Sequence, residues 1–254
     1  SQASFIYRDL TERYPDDKRA LISLALISLP MGNIDMALDY IQRALIQHPD
    51  DASVYYYAAW LDSQNGNFNR SILRLKQALS IKPDYIKAKQ LLATSLYKNG
   101  LWAESIALAD ELIALNRSGT NAWYIKAMAL NQLKKYEEAR RVLKTALAMS
   151  PEDEFLRLAI ENSLLEHSKL ELPERKEYAN WHFERAQNFR QKNLIDQARY
   201  EYQRGLHLDP YSPQRAHYAE LLGSMGYPSL QLEELIFMQD IEISNTYIND
   251  TVES

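Results

Sequence analysis

The chain has 254 residues, of which 46% are hydrophobic and 25% charged, and its formal net charge is −5. This composition excludes a predominantly disordered chain, and the negative charge disfavours nucleic acid as a partner. There is no cysteine and there are 7 glycines, which excludes disulfides and thiolate metal sites and disfavours glycine-rich phosphate loops.

Residues 1–17 are predicted to be the second helix of a helical repeat whose first helix lies upstream. Ala3, Tyr7 and Pro15 each stand 34 positions before a similar residue. A stack of helices that begins here exposes an apolar edge. We therefore expect the chain to be a fragment, and its uncapped first helix is a candidate surface for a homo-oligomer.

Residues 18–153 repeat with a period of 34 residues, and three residue types keep the same phase. These residues are Pro15, Pro49 and Pro83; Gly32, Gly66 and Gly100; and Ala25, Ala59, Ala93 and Ala127. Each of the four units (18–51, 52–85, 86–119 and 120–153) is predicted to form two antiparallel helices. The alanines are placed at the helix crossing, where short side chains allow a close approach.

Two residues predict local departures from this regular pattern. Gly32 and its equivalents suit the left-handed conformation that ends the first helix of a unit. Lys134 stands at this position in the fourth unit, so we expect its turn to be made differently. Pro30 lies late in the first helix of the first unit, and we expect that helix to kink or to stop early.

The pattern resembles the tetratricopeptide repeat family, and the fourth unit matches it best. The matching residues are Trp123, Ala127, Ala139, Leu143, Ala146 and Pro151. The resemblance covers at least residues 18–153 and is specific because the units repeat in register. It implies an all-α fold, a right-handed α-solenoid of antiparallel helix pairs.

The phase is predicted to break after Pro151. Residues 154–178 are predicted to form an extra helix and a connection, with Pro173 in the first turn of a long helix. A fifth unit and a looser sixth helix pair are predicted over 179–242, and a mobile acidic tail over 243–254. Residues 216–254 contain seven acidic residues and no Lys or Arg, which fits either a solvated chain end or an acidic docking face.

Motifs for catalysis and metal binding are missing from the sequence. No two of the five histidines are four residues apart, so there is no H-E-x-x-H zinc motif. A nucleophile elbow, a P-loop and a dinucleotide fingerprint are also missing. No apolar run approaches the about 20 residues of a membrane span. We predict a protein without enzymatic activity, cofactor, metal or direct membrane insertion.

In the family that the pattern resembles, the first helix of each unit lines a concave groove. Carried over by position, the partner-binding groove residues are Tyr56, Trp60, Lys87, Gln90, Tyr97, Asn121, Tyr124, Met128, Asn131, Phe183, Gln187 and Arg190. This aromatic and amide-rich set suits a peptide or helix of a protein partner. For Tyr56 and Trp60 there is a second interpretation, in which they pack between units.

One family sub-type holds the C-terminal carboxylate of chaperone tails with a clamp of Lys, Asn and Arg. The corresponding positions here are Ile22, Leu26, Tyr56 and Trp60, so we predict no binding of that kind.

The function predicted from the sequence is a non-enzymatic protein–protein interaction module, a scaffold or adaptor. The alternative is an accessory arm of a larger multidomain protein that positions a substrate or supports assembly, with self-association. RNA recognition by helical repeats is disfavoured because there is no basic stripe. We expect a soluble bacterial protein, and both cytoplasm and periplasm remain open.

Overall fold

The computed structural model describes the backbone of residues 17–252 and the side chains of residues 17–241. Within these residues the chain forms thirteen α-helices and no β-strand, which confirms the predicted all-α class. They are α1 (Lys18–Ser28), α2 (Ile34–Gln47), α3 (Ala52–Gln64), α4 (Phe68–Ile81), α5 (Ile86–Lys98), α6 (Trp102–Leu115), α7 (Thr120–Gln132), α8 (Tyr136–Met149), α9 (Glu154–His167), α10 (Pro173–Gln191), α11 (Ile195–Leu208), α12 (Arg215–Ser224) and α13 (Pro228–Val252). The helix predicted for residues 1–17 lies outside the described residues, except for Asp17.

Two compact units divide the chain, one up to Leu156 and the other from Arg157 onward, so that α9 crosses their boundary. In the first unit, consecutive helices from α1 to α8 pack against one another in chain order. In the second unit, α10 packs on α11, α11 on α12 and α12 on α13. This packing of sequence neighbours is the solenoid arrangement of helix pairs that the repeat predicted.

The turn inside each helix pair uses one residue in the left-handed conformation. Gly66 has a φ of 74°. Two backbone hydrogen bonds close the helix here, because Gly66 N donates to Ser63 O and Asn67 N donates to Asp62 O. Such paired bonds satisfy the last carbonyls of a helix, and glycine adopts the required φ without a Cβ clash.

Lys134 makes this same turn, so the expectation of a different turn in the fourth unit is wrong. Its φ is 60°, and Lys134 N donates to Asn131 O while Lys135 N donates to Leu130 O. Asn193 repeats the geometry between α10 and α11 with φ of 58°. The two hydrogen bonds therefore outweigh the steric cost of a side chain in the left-handed region.

The helix starts show that the 34-residue period continues further than the sequence analysis predicted. Helices α1, α3, α5, α7 and α9 begin at regular intervals of 34 residues. The predicted break after Pro151 is therefore misplaced, because the helix that begins at Glu154 stays in phase. The period breaks at α10, which starts at Pro173 and carries that proline in its first turn, as predicted. The first helix ends at Ser28, ahead of Pro30, which confirms its early stop.

Small residues fill the helix crossings, as the repeat pattern predicted. Ala25 and Ala37 are fully buried and lie in one core cluster with Ile41. Where serine replaces alanine, its hydroxyl finds a partner, since Ser105 Oγ donates to the carbonyl of Ala93 at 2.9 Å. Ser71 and Ser95 are also buried, and their hydroxyl groups hydrogen-bond to each other at 3.0 Å.

The last helix differs from the predicted outline. Its backbone continues through the predicted end at 242 as far as Val252. Neither glycine nor proline occurs between Ser229 and Val252, so nothing in the sequence stops the helix there. The predicted mobility of residues 243–254 stays a prediction.

Candidate functional site

The predicted groove residues of the first compact unit lie on α3, α5 and α7, and their exposure differs. Lys87, Gln90 and Asn121 are exposed, and Tyr124 is 38% exposed. The others are half-buried, namely Tyr56, Trp60, Tyr97, Met128 and Asn131. The exposed members therefore offer contact area to a partner without unpacking of the core.

Two predicted residues, Asn121 and Tyr124, line a cavity of about 300 Å³ together with the first residues of α9. The complete lining is Thr120, Asn121, Tyr124, Asp153, Phe155 and Leu156. Leu156, 1% exposed, provides a buried apolar wall, whereas the Phe155 side chain is 81% exposed. We call this cavity, with its six lining residues, the α7–α9 cavity.

Local hydrogen bonds fix both ends of the α7–α9 cavity. Asp153 Oδ1 accepts from the backbone N–H groups of Phe155 and Leu156, both at 3.1 Å, and so caps the start of α9. Trp123 Nε1 donates to the carbonyl of Arg117 at 2.9 Å, which anchors the turn before α7. The cavity is therefore preorganised by helix starts and does not depend on a long loop.

Phe155 was missed in the sequence analysis, although a signal for it exists. Asn121 is position 2 of the fourth unit, and Phe155 follows it by 34 residues. Phe155 is therefore at position 2 of the next unit. A period that breaks after Pro151 leaves α9 as an extra helix outside this surface, whereas α9 begins in phase at Glu154. Extending the period by one helix identifies Phe155 as a member of the same surface.

Tyr56 and Trp60 take part in packing between helices. The Tyr56 ring lies 5.1 Å from the Tyr57 ring and 5.3 Å from the Tyr85 ring, measured between centroids. Burial raises the pKa of Tyr56, and the neighbouring Tyr57 raises it further. Trp60 packs on the core cluster of α1 to α3. Their packing role is thus observed, whereas contact with a partner stays a prediction.

Tyr97 lies in a second, smaller cavity of about 230 Å³. Lys98, Gly100, Trp102 and Gln132 form the rest of its lining. The Lys98 ammonium lies 5.8 Å from the centroid of the Tyr97 ring. This cavity is mostly polar in character, and the predicted residues are therefore divided between two places on the first compact unit.

In the second compact unit, Gln187 and Arg190 are exposed on α10, but Phe183 is not a groove residue. Phe183 is 2% exposed. Its ring packs so close to Gly205 that a Cβ atom added to residue 205 would lie only 2.4 Å from Phe183 Cε1. Because Gly205 has no side chain, the ring turns into the space between α10 and α11. The assignment of Phe183 to the groove is therefore wrong.

A buried group of charged residues lies beneath the surface of the second compact unit. His182, 0% exposed, contacts Glu201 Oε2 from Nδ1 at 2.5 Å and Glu161 Oε1 from Nε2 at 2.9 Å. Arg204 donates to the other oxygen of Glu161 at 2.7 Å. We call these four residues the buried histidine cluster. Because His182 and both carboxylates are buried, the cluster holds α9, α10 and α11 together and offers no open site for a substrate.

The electrostatics of the buried histidine cluster favour a protonated imidazole. Burial by itself lowers the pKa of His182, but the hydrogen bonds with Glu161 and Glu201 outweigh burial and raise it. Burial likewise opposes ionisation of Glu161, yet its hydrogen bonds with His182 and Arg204 lower its pKa. Among the described residues no group of acidic and histidine side chains has the arrangement of a metal site.

Comparison with known proteins supports the family suggested by the residue pattern. Residues 91–154 match the model of the tetratricopeptide repeat. The chain is 23% identical over 120 residues to a tetratricopeptide-repeat-containing protein, YpiA, of Bacillus subtilis; the match covers 47% of this chain and 28% of that relative. Residues 91–154 therefore match the tetratricopeptide repeat, and the chain spans about a quarter of the length of that relative.

Solved structures show the same fold at low sequence identity. A tetratricopeptide repeat protein from Parabacteroides merdae matches with a TM-score of 0.60 and 15% identity, over 87% of this chain and 90% of that one. YrrB, described as a tetratricopeptide-repeat protein with an unusual peptide-binding site, matches with a TM-score of 0.53 and 15% identity, over 80% of this chain and 92% of that one. These matches confirm the solenoid fold.

The family match and the structural matches together place the chain in the class of helical-repeat folds. No feature of the described residues points to catalysis. None of the helices in the described part of the chain is both long and apolar enough to span a bilayer.

Proposed function

We propose that the chain is a non-enzymatic scaffold or adaptor that holds a peptide or helix of a partner protein against α7 and the start of α9. The observation that supports this most directly is the α7–α9 cavity. It joins two predicted groove residues to an exposed aromatic ring on a preorganised helix start.

The lining of the cavity indicates how a partner binds. An apolar side chain of the partner enters between Tyr124 and Phe155, above the buried Leu156, and displaces water from both aromatic rings. The exposed amide of Asn121 can both donate to and accept from a peptide backbone. The peptide-binding site described for YrrB, a protein of the same fold, supports this type of partner.

Lys87 and Gln90 extend the proposed surface along α5, since they stand 34 residues before Asn121 and Tyr124. Both are exposed. An extended segment that leaves the cavity toward α5 therefore meets one ammonium and one amide. This arrangement favours a partner segment with an apolar anchor followed by polar residues.

The test is a selection of binders from a random-peptide phage library on the purified chain. The affinity of an enriched, fluorescently labelled peptide is then measured by anisotropy for the wild type, for Phe155→Ala and for Leu115→Ala. Leu115 is a matched control, because it is 61% exposed on α6 and lies outside the cavity.

We expect Phe155→Ala to weaken peptide binding by about tenfold or more, because the variant loses the apolar surface that the Phe155 ring buries against the peptide. We expect Leu115→Ala to leave the affinity unchanged. Circular dichroism checks that both variants fold. Equal affinities for all three proteins, or a library that yields no enriched peptide, would refute the proposed site.

A further inference from the structure

The last helix presents apolar side chains to solvent on the side away from its packing partner. Leu232, Leu235 and Ile236 are 58%, 46% and 49% exposed, and their spacing places them on one side of α13. We call these three residues the outer stripe. Exposed apolar side chains at this spacing are typical of a helix face that packs against another helix.

The outer stripe is carried by a helix that is fixed in place. On the opposite side of α13, Glu234 forms an ion pair with Arg215 of α12. The Arg215 guanidinium also lies 4.2 Å from the centroid of the Phe237 ring and donates to the carbonyl of Pro210. These contacts orient α13, so the stripe faces outward in the folded unit.

Charge distinguishes the possible occupants of the outer stripe. Glu233 and Asp240 lie beside it and are exposed, and residues 216–254 contain seven acidic residues and no Lys or Arg. In a symmetric pair of copies each stripe would meet the same acidic surroundings, and like charges would repel. An anionic lipid surface is disfavoured for the same reason.

We propose that the outer stripe of α13 binds a cationic amphipathic helix of a partner protein. The apolar face of that helix packs on Leu232, Leu235 and Ile236, and its Lys or Arg side chains lie next to Glu233 and Asp240. Recognition of this kind combines burial of apolar side chains with charge attraction. It uses a surface separate from the α7–α9 cavity.

The test uses a designed helical peptide of Leu and Lys, with Leu repeating at i, i+3, i+4 and i+7, and a second peptide in which Glu replaces every Lys. Binding is measured by fluorescence anisotropy at about 50 mM and about 500 mM salt. The protein variants are Leu232→Ser/Ile236→Ser and, as a matched control, Leu73→Ser/Leu115→Ser. Leu73 and Leu115 are 68% and 61% exposed on other helices.

We expect the Lys peptide to bind and the Glu peptide not to bind. Leu232→Ser/Ile236→Ser should weaken binding of the Lys peptide about tenfold or more, although it keeps all charges, and the control double variant should not weaken it.

Equal binding of the Lys peptide by the two double variants would show attraction by net charge alone and would overturn the proposal. Dimerisation of the wild type, abolished by Leu232→Ser/Ile236→Ser, would also overturn it and assign the stripe to a second copy. Phe155→Ala should bind the Lys peptide normally, so failure of one site is distinguishable from failure of the other.

Discussion

Lys134 occupies a backbone conformation that disfavours any residue with a Cβ atom, with φ of 60°. Glycine at this position removes the steric cost, although it adds conformational entropy to the unfolded chain. We expect Lys134→Gly to raise the free energy of unfolding by about 0.5–1 kcal/mol, measured from the urea midpoint.

Gly66→Ala is the matched change in the opposite direction. Its φ is 74°, and a Cβ atom there meets nothing within 4 Å, so only the backbone conformation opposes it. We expect it to lower the free energy of unfolding by about 1 kcal/mol. A Lys134→Gly protein less stable than the wild type would show that the Lys134 side chain contributes more than its conformation costs.

The buried histidine cluster makes stability depend on pH in two windows. The raised pKa of His182 contributes stability that is fully present below the ordinary value of about 6.5 and is lost as pH rises through the raised pKa. The lowered pKa of Glu161 contributes stability that is present above about 4.5 and is lost as pH falls through the lowered pKa. From this cluster we expect the greatest stability between about pH 4.5 and pH 6.5.

Urea unfolding followed by circular dichroism at a series of pH values measures this dependence. His182→Gln should lose the decline on the alkaline side, because a glutamine side chain does not titrate. His217→Gln is the control, since His217 is exposed and lies outside the cluster. A His182→Gln protein whose stability still falls with rising pH as in the wild type would assign the effect to other groups.

At the scale of helices, Gly205 and Phe183 determine how closely α10 and α11 approach. A Cβ atom at residue 205 would lie 2.4 Å from Phe183 Cε1, well inside van der Waals contact. Alanine favours a helix more than glycine does, but here the clash is the larger effect. We expect Gly205→Ala to lower the free energy of unfolding by about 1–3 kcal/mol.

A smaller residue at position 183 should relieve this clash. In the double variant Gly205→Ala/Phe183→Leu the loss should be smaller than the sum of the two single losses, as measured by thermal or urea unfolding. Additive losses would mean that the α10–α11 packing adjusts without contact between these two side chains.

The sequence predicted helix positions well, because their signals are local. Proline, glycine and alanine recur in phase, and each acts on its own turn or crossing, so α1, α3, α5 and α7 begin where the period places them. The turn at Lys134 could not be predicted from residue type, since the two backbone hydrogen bonds that stabilise it are the same with any side chain. The phase of α9 was available in the sequence but was hidden by the irregular connection to α10.

The candidate site was harder to predict, because exposure depends on contacts between helices. Position within a unit placed Asn121 and Tyr124 on one surface, and both line the α7–α9 cavity. The same rule failed for Phe183, because Gly205 on the next helix opens a space that the ring fills. The buried histidine cluster also joins residues from three helices, and no spacing along the chain marks it.

At the scale of the whole chain, helices pack mainly on their neighbours in sequence, as in other repeat stacks. Local damage should therefore stay local. His182→Ala leaves Glu161 and Glu201 buried without their shared partner, which should cost about 3 kcal/mol or more. The loss falls on α9, α10 and α11, whereas α3 to α5 lie in the other compact unit.

Hydrogen exchange followed by mass spectrometry can separate these regions within one chain. In the His182→Ala protein we expect faster exchange in the peptides of α10 and α11 and unchanged exchange in those of α3, α4 and α5, because repeat stability is a sum of local and nearest-neighbour contributions. The reciprocal change, Gly66→Ala, should accelerate exchange in α3 and α4 and leave α10 and α11 unchanged. Acceleration along the entire chain in either variant would instead indicate a single cooperative unit. In that case a partner bound at the α7–α9 cavity would stabilise α13 as well, and the two proposed surfaces would be energetically coupled.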